Sequence, residues 1–187
     1  VAGMLAAFGA QVLDADVVAH EVMAPGRPAC REIIRRFGRA ILRPDGAIDR
    51  RRLAQRVFRD ARARRQLEAI VHPRVIRDIR ARLHEPARRR SVRVVVLDVP
   101  LLVEAGMQRL VDVLVVVTAT PTVQRRRLRA RGVSPIEIRR RIAAQWSLSA
   151  KMGLADVIVD NSDGRTHTRR QVRALWNRLR AAKHNRG

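Results

Sequence analysis

The chain has 187 residues, of which 47% are hydrophobic, and it carries a formal net charge of +23. The length and the hydrophobic content are typical of one folded soluble domain with a good core and room for a small insertion. The sequence excludes a membrane-spanning helix, because no apolar run approaches the roughly 18 residues that such a helix needs. The start resembles no secretory signal, and the single cysteine, Cys30, excludes an internal disulfide. We therefore expect a cytoplasmic protein without a membrane partner.

The basic residues are almost all arginine, since Lys151 and Lys183 are the only lysines among 40 lysine and arginine residues. Such a charge suggests an anionic partner, and nucleic acid is the first candidate. Aromatic residues make up only 3% of the chain, however, so side chains on which bases could stack are scarce. The arginines are also scattered from Arg27 onward and are not held in one arm. We interpret most of them as solvated helix faces, with a few available to a polyphosphate substrate.

The first elements predict an α/β sheet. Val1 to Phe8 predicts a helix that Gly9 ends, and Val12-Leu13 predicts a short buried strand. Asp14 and Asp16 follow that strand directly. Ligands of parallel sheets bind beyond the carboxyl ends of the strands, so both aspartates are candidate site residues. The alternative is that one of them only caps the next helix.

Residues 21–89 predict an all-helical insertion. Asp49 is a plausible N-cap for one of its helices. A later helix through Leu67 and Ile70 meets His72-Pro73, where we expect the proline to break it. A histidine in such a position caps or packs more often than it binds substrate, and both interpretations of His72 stay open.

Three further strands are predicted in the second half, at 92–99, 113–117 and 157–159. Asp98 and Asn161 lie at the carboxyl ends of two of them. Thr120-Pro121 and the capping box Ser134-Pro135-Ile136-Glu137 predict the starts of two helices between the strands. The regular alternation of strand and helix indicates a parallel sheet.

Several short motifs also occur in a characteristic order along nearly the whole chain. They are Leu13-Asp14-Ala15-Asp16, Glu21 with Pro25-Gly26, Phe37-Gly38 with Pro44-Asp45-Gly46, Asp49-Arg50 with Leu53, Val57-Phe58, Ile70-Val71-His72-Pro73, Val99-Pro100-Leu101-Leu102 with Glu104, Arg141-Ile142-Ala143-Ala144-Gln145, and Ala155-Asp156 with Asp160-Asn161. Together they resemble the dephospho-coenzyme A kinase family. The resemblance implies an α/β fold with a P-loop NTPase-like three-layer parallel sheet. It also implies a kinase core at 1–20 and 90–187, a helical lid near 120–150 and a helical CoA-substrate insertion at 21–89.

The reaction that this resemblance implies is transfer of the γ-phosphoryl group of ATP to the 3′-hydroxyl of dephospho-CoA, with Mg²⁺ as cofactor. Phosphoryl transfer depends mainly on positioning and on neutralising charge. Asp16 matches the family aspartate that orients and deprotonates the acceptor hydroxyl. Arg141 matches the lid arginine that meets the transferring phosphate.

The same resemblance implies the other site residues. Arg127 and Arg131 join Arg141 in binding the nucleotide, Asn161 lines the adenine pocket, and Asp98 holds a water of the Mg²⁺ shell. The candidate contacts of the CoA substrate are Asp14, His72 and Glu104. For Glu104 an alternative stays open, namely that it orients the lid.

The family also opens with a strand and a Gly-x-x-Gly-x-Gly-Lys-Ser/Thr loop, whose backbone N–H groups surround the phosphates. Val1 corresponds to a position just after that loop. We therefore expect that about fifteen to twenty residues, one strand plus the loop, precede this chain. We also expect the chain as given to be inactive without them.

Two other classes of protein remain open. A different nucleotide kinase would share the sheet and the lid arginines, but it would not need Val99-Pro100-Leu101-Leu102 or the insertion around His72-Pro73. A basic nucleic-acid-binding protein would explain the charge, but not the carboxylates at the ends of strands. We expect ATP and dephospho-CoA as partners, no nucleic acid, and a monomer.

Overall fold

The computed structural model describes residues 1–87, 94–143 and 145–181, and the side chains of residues 59, 85–87, 140 and 141 lie outside that description. The described strands are β1 (Gln11–Asp14), β2 (Val95–Asp98), β3 (Val115–Thr118) and β4 (Val157–Asp160). The described helices are α1 (Ala2–Ala7), α2 (Ala15–Val22), α3 (Pro28–Phe37), α4 (Arg50–Arg59), α5 (Ala61–Ala87), α6 (Pro121–Ala130), α7 (Pro135–Ala143), α8 (Leu148–Leu154) and α9 (Arg165–Ala181). Short 3-10 helices lie at Arg39–Ile41 and Met107–Leu110.

The chain divides into two compact units. A strand unit comprises Val1–Val12 and Val92–Gly187, and a helical unit comprises Leu13–Ser91. Strand β1 crosses the boundary between them in sequence. None of the helices in the described ranges combines the length and the apolar character needed to cross a membrane.

The strand unit contains a parallel pair of strands covered by helices. Strand β3 runs parallel to β4, with Val115 opposite Val157 and Thr118 opposite Asp160. Strands β1 and β2 form a second two-stranded sheet, and the Gln11 N–H donates to the Val94 carbonyl at 3.0 Å. The core on one face is formed by Leu5, Ala10, Val159, Val172 and Leu175. These short apolar strands and amphipathic helices confirm the predicted α/β class.

The last helix shows how the sequence pattern produces this packing. Val172 and Leu175 of α9 are 0% and 3% exposed, and Trp176 stacks on Phe8 of the first helix at a ring separation of 6.4 Å. Full burial of one such aliphatic side chain contributes about 1.5–3 kcal/mol. Arginines occupy the opposite face of α9, where they remain in water.

In the helical unit, α2, α3 and α4 pack on α5. Val18, Ile33 and Ile79 are fully buried in this core. The predicted N-cap Asp49 is confirmed, because its carboxylate accepts from the N–H groups of Arg51 and Arg52 at 2.9 and 3.0 Å. Each of the two acceptor bonds satisfies an N–H group that has no partner within the first helical turn.

The predicted break at His72-Pro73 is wrong, because α5 continues through Pro73 to Ala87. Proline removes one backbone N–H from the helix and crowds the carbonyl one turn before it. The Arg74 guanidinium donates to the Ile70 carbonyl at 2.6 Å and so supplies an additional donor in this turn. Burial of Ile70, Val71 and Ile79 against the other helices outweighs the local cost of the proline.

Candidate active site

The carboxyl ends of β3 and β4 are joined by a network that we call the strand-end cluster, formed by Thr118, Thr120, Asp160 and Ser162. The Asp160 carboxylate accepts from the Ser162 N–H at 2.9 Å and from the Thr118 hydroxyl at 3.5 Å. The Thr120 N–H donates to the Ser162 hydroxyl at 3.0 Å. Hydrogen bonds from the Ser162 hydroxyl and N–H hold the pKa of Asp160 below its ordinary value. The two loops are therefore fixed to each other where ligands of parallel sheets bind.

Asn161 lies within the loop that this cluster fixes. Its N–H donates to the Thr118 carbonyl at 2.8 Å, which extends the strand ladder by one bond. Its side-chain oxygen accepts from the Thr168 hydroxyl at 3.0 Å, and Thr168 is only 1% exposed. The orientation of the Asn161 amide is thus set by a buried partner. Thr168 belongs to none of the sequence motifs, and the one signal for it is a polar residue on the apolar face of α9.

Asp14, the last residue of β1, and Asp16, in the helix that follows, differ in their contacts. Asp14 is the N-cap of α2, and its carboxylate accepts from the N–H groups of Asp16 and Val17 at 2.8 and 3.3 Å. Asp16 lies in the first turn of α2 with an exposed side chain. Its carboxylate makes no hydrogen bond or ion pair within the described part of the chain. Capping therefore occupies Asp14 and leaves Asp16 facing solvent.

Helix α2 is joined to α5 by an ion pair between Glu21 and Arg82. A second pair joins Glu32 of α3 to Arg74 of α5 at 2.6 Å. His72 is exposed on α5, just before Arg74. The helix that carries Asp16 is therefore held by both apolar packing and a partly exposed ion pair.

A second polar network, which we call the Glu104 cluster, comprises Glu104, Gln145, Trp146 and Lys151. The Glu104 carboxylate accepts from the Trp146 N–H at 2.9 Å and pairs with the Lys151 ammonium at 3.3 Å. Lys151 also donates to the Gln145 side-chain oxygen at 2.9 Å. Burial raises the pKa of Glu104, but hydrogen bonds from its own N–H and from Trp146, with the Lys151 charge, leave that pKa below its ordinary value.

The other predicted site residues lie on the strand unit. Asp98 is the exposed last residue of β2. Arg127 is half-buried in the last turn of α6, and Arg131 is the exposed residue that ends this helix. The backbone of Arg141 belongs to α7, but its side chain lies outside the described residues. The hydrogen bond of the Ser134 hydroxyl with the Glu137 N–H, 3.3 Å long, confirms the predicted start of α7.

The chain is similar to known proteins of one family. The family model for dephospho-CoA kinase (CoaE) matches residues 1–167. The chain is also 48% identical over 177 residues to the dephospho-CoA kinase of Symbiobacterium thermophilum, covering 94% of this chain and 74% of that protein. The chain belongs to the dephospho-CoA kinase family. It is therefore an ATP-dependent kinase that phosphorylates dephospho-CoA in coenzyme A biosynthesis.

Solved structures show the same fold. The protein TT1252 from Thermus thermophilus matches with a TM-score of 0.73 at 30% identity, over 95% of this chain and 89% of that one. The dephospho-CoA kinase from Campylobacter jejuni matches with a TM-score of 0.66 over the same shares of the chains. At 20% identity the second likeness establishes the fold alone. The P-loop NTPase-like α/β class of this dephospho-CoA kinase family member is thereby confirmed.

Proposed function

We propose that Asp16 is the general base that orients and deprotonates the 3′-hydroxyl of dephospho-CoA. The observation that carries this proposal is the difference between Asp14, which ends β1, and Asp16, which follows it. Asp14 is occupied by two backbone N–H groups, whereas the Asp16 carboxylate is exposed in the first helical turn. A general base must reach the proton that it removes, so an exposed carboxylate at a strand end suits that task.

On the nucleotide side, Arg141 neutralises the charge that develops on the transferring phosphoryl group, and Arg127 and Arg131 contribute to binding the phosphates. Their helices, α6 and α7, would serve as the lid. Asn161 contacts the adenine ring. The support for this last assignment is the fixed orientation of its amide, which is set by buried Thr168 and by the strand-end cluster.

Mg²⁺ would be held at Asp98 through a bound water. Within the described residues there is no group of three or more metal-ligating side chains. That finding fits a magnesium ion bound mainly by nucleotide phosphates, since Mg²⁺ usually takes only one or two protein carboxylates and keeps several waters. When bound, Mg²⁺ would neutralise charge on the β and γ oxygens.

The helical unit would receive the CoA half of the substrate, with Asp14 and His72 as its predicted contacts. Exposed arginines on α3 and α4 supply positive charge for the diphosphate of that substrate. We further propose that the enzyme works in the cytoplasm as a monomer.

Glu104 was predicted to contact substrate or to orient the lid, and its contacts favour the second alternative.

The decisive experiment compares Asp16→Asn with Asp14→Asn in the full-length enzyme. Asparagine keeps the size and the hydrogen bonding of aspartate but removes its basicity. We expect Asp16→Asn to lower kcat by about 10²–10⁴-fold, the usual contribution of a positioned general base, with little change in KM for dephospho-CoA.

Asp14→Asn is the matched control, because asparagine is as good an N-cap as aspartate. It should keep kcat, and a raised KM for dephospho-CoA would support substrate contact by Asp14. Loss of kcat in Asp14→Asn with normal kcat in Asp16→Asn would assign the base to the other carboxylate. If both variants keep normal kcat, neither aspartate takes part in the chemistry.

A further inference from the structure

The Glu104 cluster connects three segments of the strand unit that are far apart in sequence. Glu104 lies in the turn after β2, Gln145 and Trp146 lie just beyond α7, and Lys151 is on α8. The turn itself is firmly held, because Val103 and Met107 on either side of Glu104 are only 5% and 6% exposed. A carboxylate on such a turn is a rigid attachment point for the chain that follows α7.

The ion pair in this cluster is nearly enclosed. The Glu104 and Lys151 side chains are 11% and 14% exposed, whereas the Arg64–Glu68 pair on α5 is 62% and 44% exposed. Exposed pairs contribute little, but removing one partner of an enclosed pair leaves a charge without compensation. Enclosure also argues against direct substrate contact, since Glu104 directs its carboxylate to Trp146 and Lys151 instead of to solvent.

The identity of the cation supports a specific function for the pair. This chain uses arginine almost everywhere, and Lys151 is one of only two lysines. Lysine places a compact ammonium on a thin stem, whereas arginine needs space for a planar group. The ammonium lies between the Glu104 carboxylate and the Gln145 side-chain oxygen, at 3.3 and 2.9 Å. Its environment therefore suits a small charge with two acceptors close by.

We propose that Glu104 and Lys151 are positioning residues that fix Gln145 and Trp146 just beyond α7. They thereby hold α7, the helix that carries Arg141, in the position required for catalysis. This inference rests on the proposed function of Arg141. It also gives a physical link between two of the family-like motifs, because Glu104 ends one of them and Gln145 ends the other. Neither residue needs to touch the nucleotide.

The test uses Glu104→Gln, Lys151→Met and the double variant. Each single change leaves one enclosed charge unpaired, so the chain after α7 shifts. A displacement of about 1 Å far from the chemistry can cost roughly 10²-fold in rate, and we expect that loss in kcat with KM nearly unchanged. In the double variant the introduced glutamine still accepts from the Trp146 N–H, and no charge is left unpaired. Its kcat should therefore recover to within about 10-fold of the parent, a non-additive result typical of contacting residues.

A surface pair gives the matched control. Arg64→Met with Glu68→Gln removes an equivalent but exposed ion pair and should leave kcat and the melting temperature nearly unchanged. Acrylamide quenching of Trp146, measured in a Trp176→Phe background, reports the attachment independently of activity. Quenching should increase in each single variant and return toward the parent value in the double variant.

Three outcomes would overturn the proposal. The first is a lowered melting temperature with unchanged kcat per folded molecule, which would make the pair merely structural. The second is a raised KM for ATP of equal size in Lys151→Met and in the double variant, which would place Lys151 on the nucleotide. The third is unchanged quenching of Trp146.

Arg141→Met separates this proposal from the function that it rests on. If Arg141→Met keeps normal kcat, the proposed function of Arg141 fails, whatever the Glu104 variants show. If Arg141→Met is severely impaired and Glu104→Gln adds no further loss on that background, Glu104 acts through Arg141. If Glu104→Gln still lowers kcat by roughly 10²-fold in the Arg141→Met background, the positioning proposal fails while the proposed function of Arg141 stands.

Discussion

The helical unit and the strand unit use their carboxylates in different ways. In the helical unit, glutamates join one helix to another, as Glu21 of α2 does with Arg82 and Glu32 of α3 does with Arg74. In the strand unit, carboxylates accept from backbone N–H groups of loops, whereas Asp14 and Asp49 of the helical unit accept from N–H groups of the helices that they begin. Asp160 accepts in this way from Ser162, and Glu104 accepts from Trp146.

We expect the two kinds of carboxylate contact to affect different properties, namely the stability of the helical unit and the positions of loops in the strand unit. Partly exposed pairs between helices, such as those of the helical unit, contribute modestly to the free energy of unfolding and leave backbone geometry to apolar packing. A carboxylate that accepts from a loop N–H fixes the path of a segment that has no regular hydrogen bonding of its own. We therefore expect substitutions in the loops of the strand unit to change the rate, and those in the helical unit mostly to change stability. Asp16 is the exception in the helical unit.

The largest effect is expected for Arg141→Met in the strand unit. An arginine that meets the transferring phosphoryl group stabilises charge that is present mainly in the transition state, so kcat should fall by about 10³–10⁵-fold. Steady-state kinetics with thermal melts would measure the change. Arg139→Met on the same helix is the control and should keep near-normal kcat, because Arg139 lies outside the family-like motif that begins at Arg141. Normal kcat in Arg141→Met would show that Arg141 takes no part in the chemistry.

A smaller effect is expected for Asp14→Ala in the helical unit. Alanine removes the acceptor of the Asp16 and Val17 N–H groups and should lower the free energy of unfolding by about 1 kcal/mol, the usual cost of losing an N-cap. Denaturant unfolding would measure it, with Asp14→Asn as the variant that keeps the cap. A fall in kcat per folded molecule in Asp14→Ala, at unchanged stability, would contradict the division between the two units.

The smallest effect is an acid dependence at the strand-end cluster. Asp160 has a lowered pKa in the folded state, so below its ordinary value of 3.8 the unfolded chain binds more protons than the native one. Stability from Asp160 is thus present above that value and is lost as the pH falls through the native pKa. As the pH is lowered to about 3, the melting temperature should fall less steeply in Asp160→Asn than in the parent. An identical pH dependence in the two proteins would mean that the Asp160 charge adds nothing to the stability of the strand-end cluster.

Local features could be predicted from the sequence because neighbouring residues determine them. The N-caps Asp49, Thr120 and Ser134 act on N–H groups two or three residues away, and each occurs as expected. The apolar face of α9 follows equally from its periodicity. Asp14 and Asp16 were recognised as candidates from the sequence, but only the structure shows that Asp14 is the cap.

Features that depend on distant parts of the chain could not be predicted. Continuation of α5 through Pro73 results from packing with other helices, which outweighs the local preference of His72-Pro73. The enclosure of Lys151 depends on Glu104, which precedes it by several elements of secondary structure. Its one signal in the sequence was the rarity of lysine. Thr168 was missed because its burial depends on packing, although its partner Asn161 lies in the preceding loop.

The proline inside α5 has a consequence for local unfolding. Because Pro73 has no N–H, the hydrogen-bonded ladder is interrupted there, and helical cooperativity passes poorly from one half of α5 to the other. The half before Pro73 carries the exposed Arg64–Glu68 pair, and the half after it carries Arg82, which holds the helix of Asp16 through Glu21. Each half therefore has its own opening free energy, set by what packs on it. Amide hydrogens before Pro73 can exchange with solvent while the support beneath Asp16 stays closed.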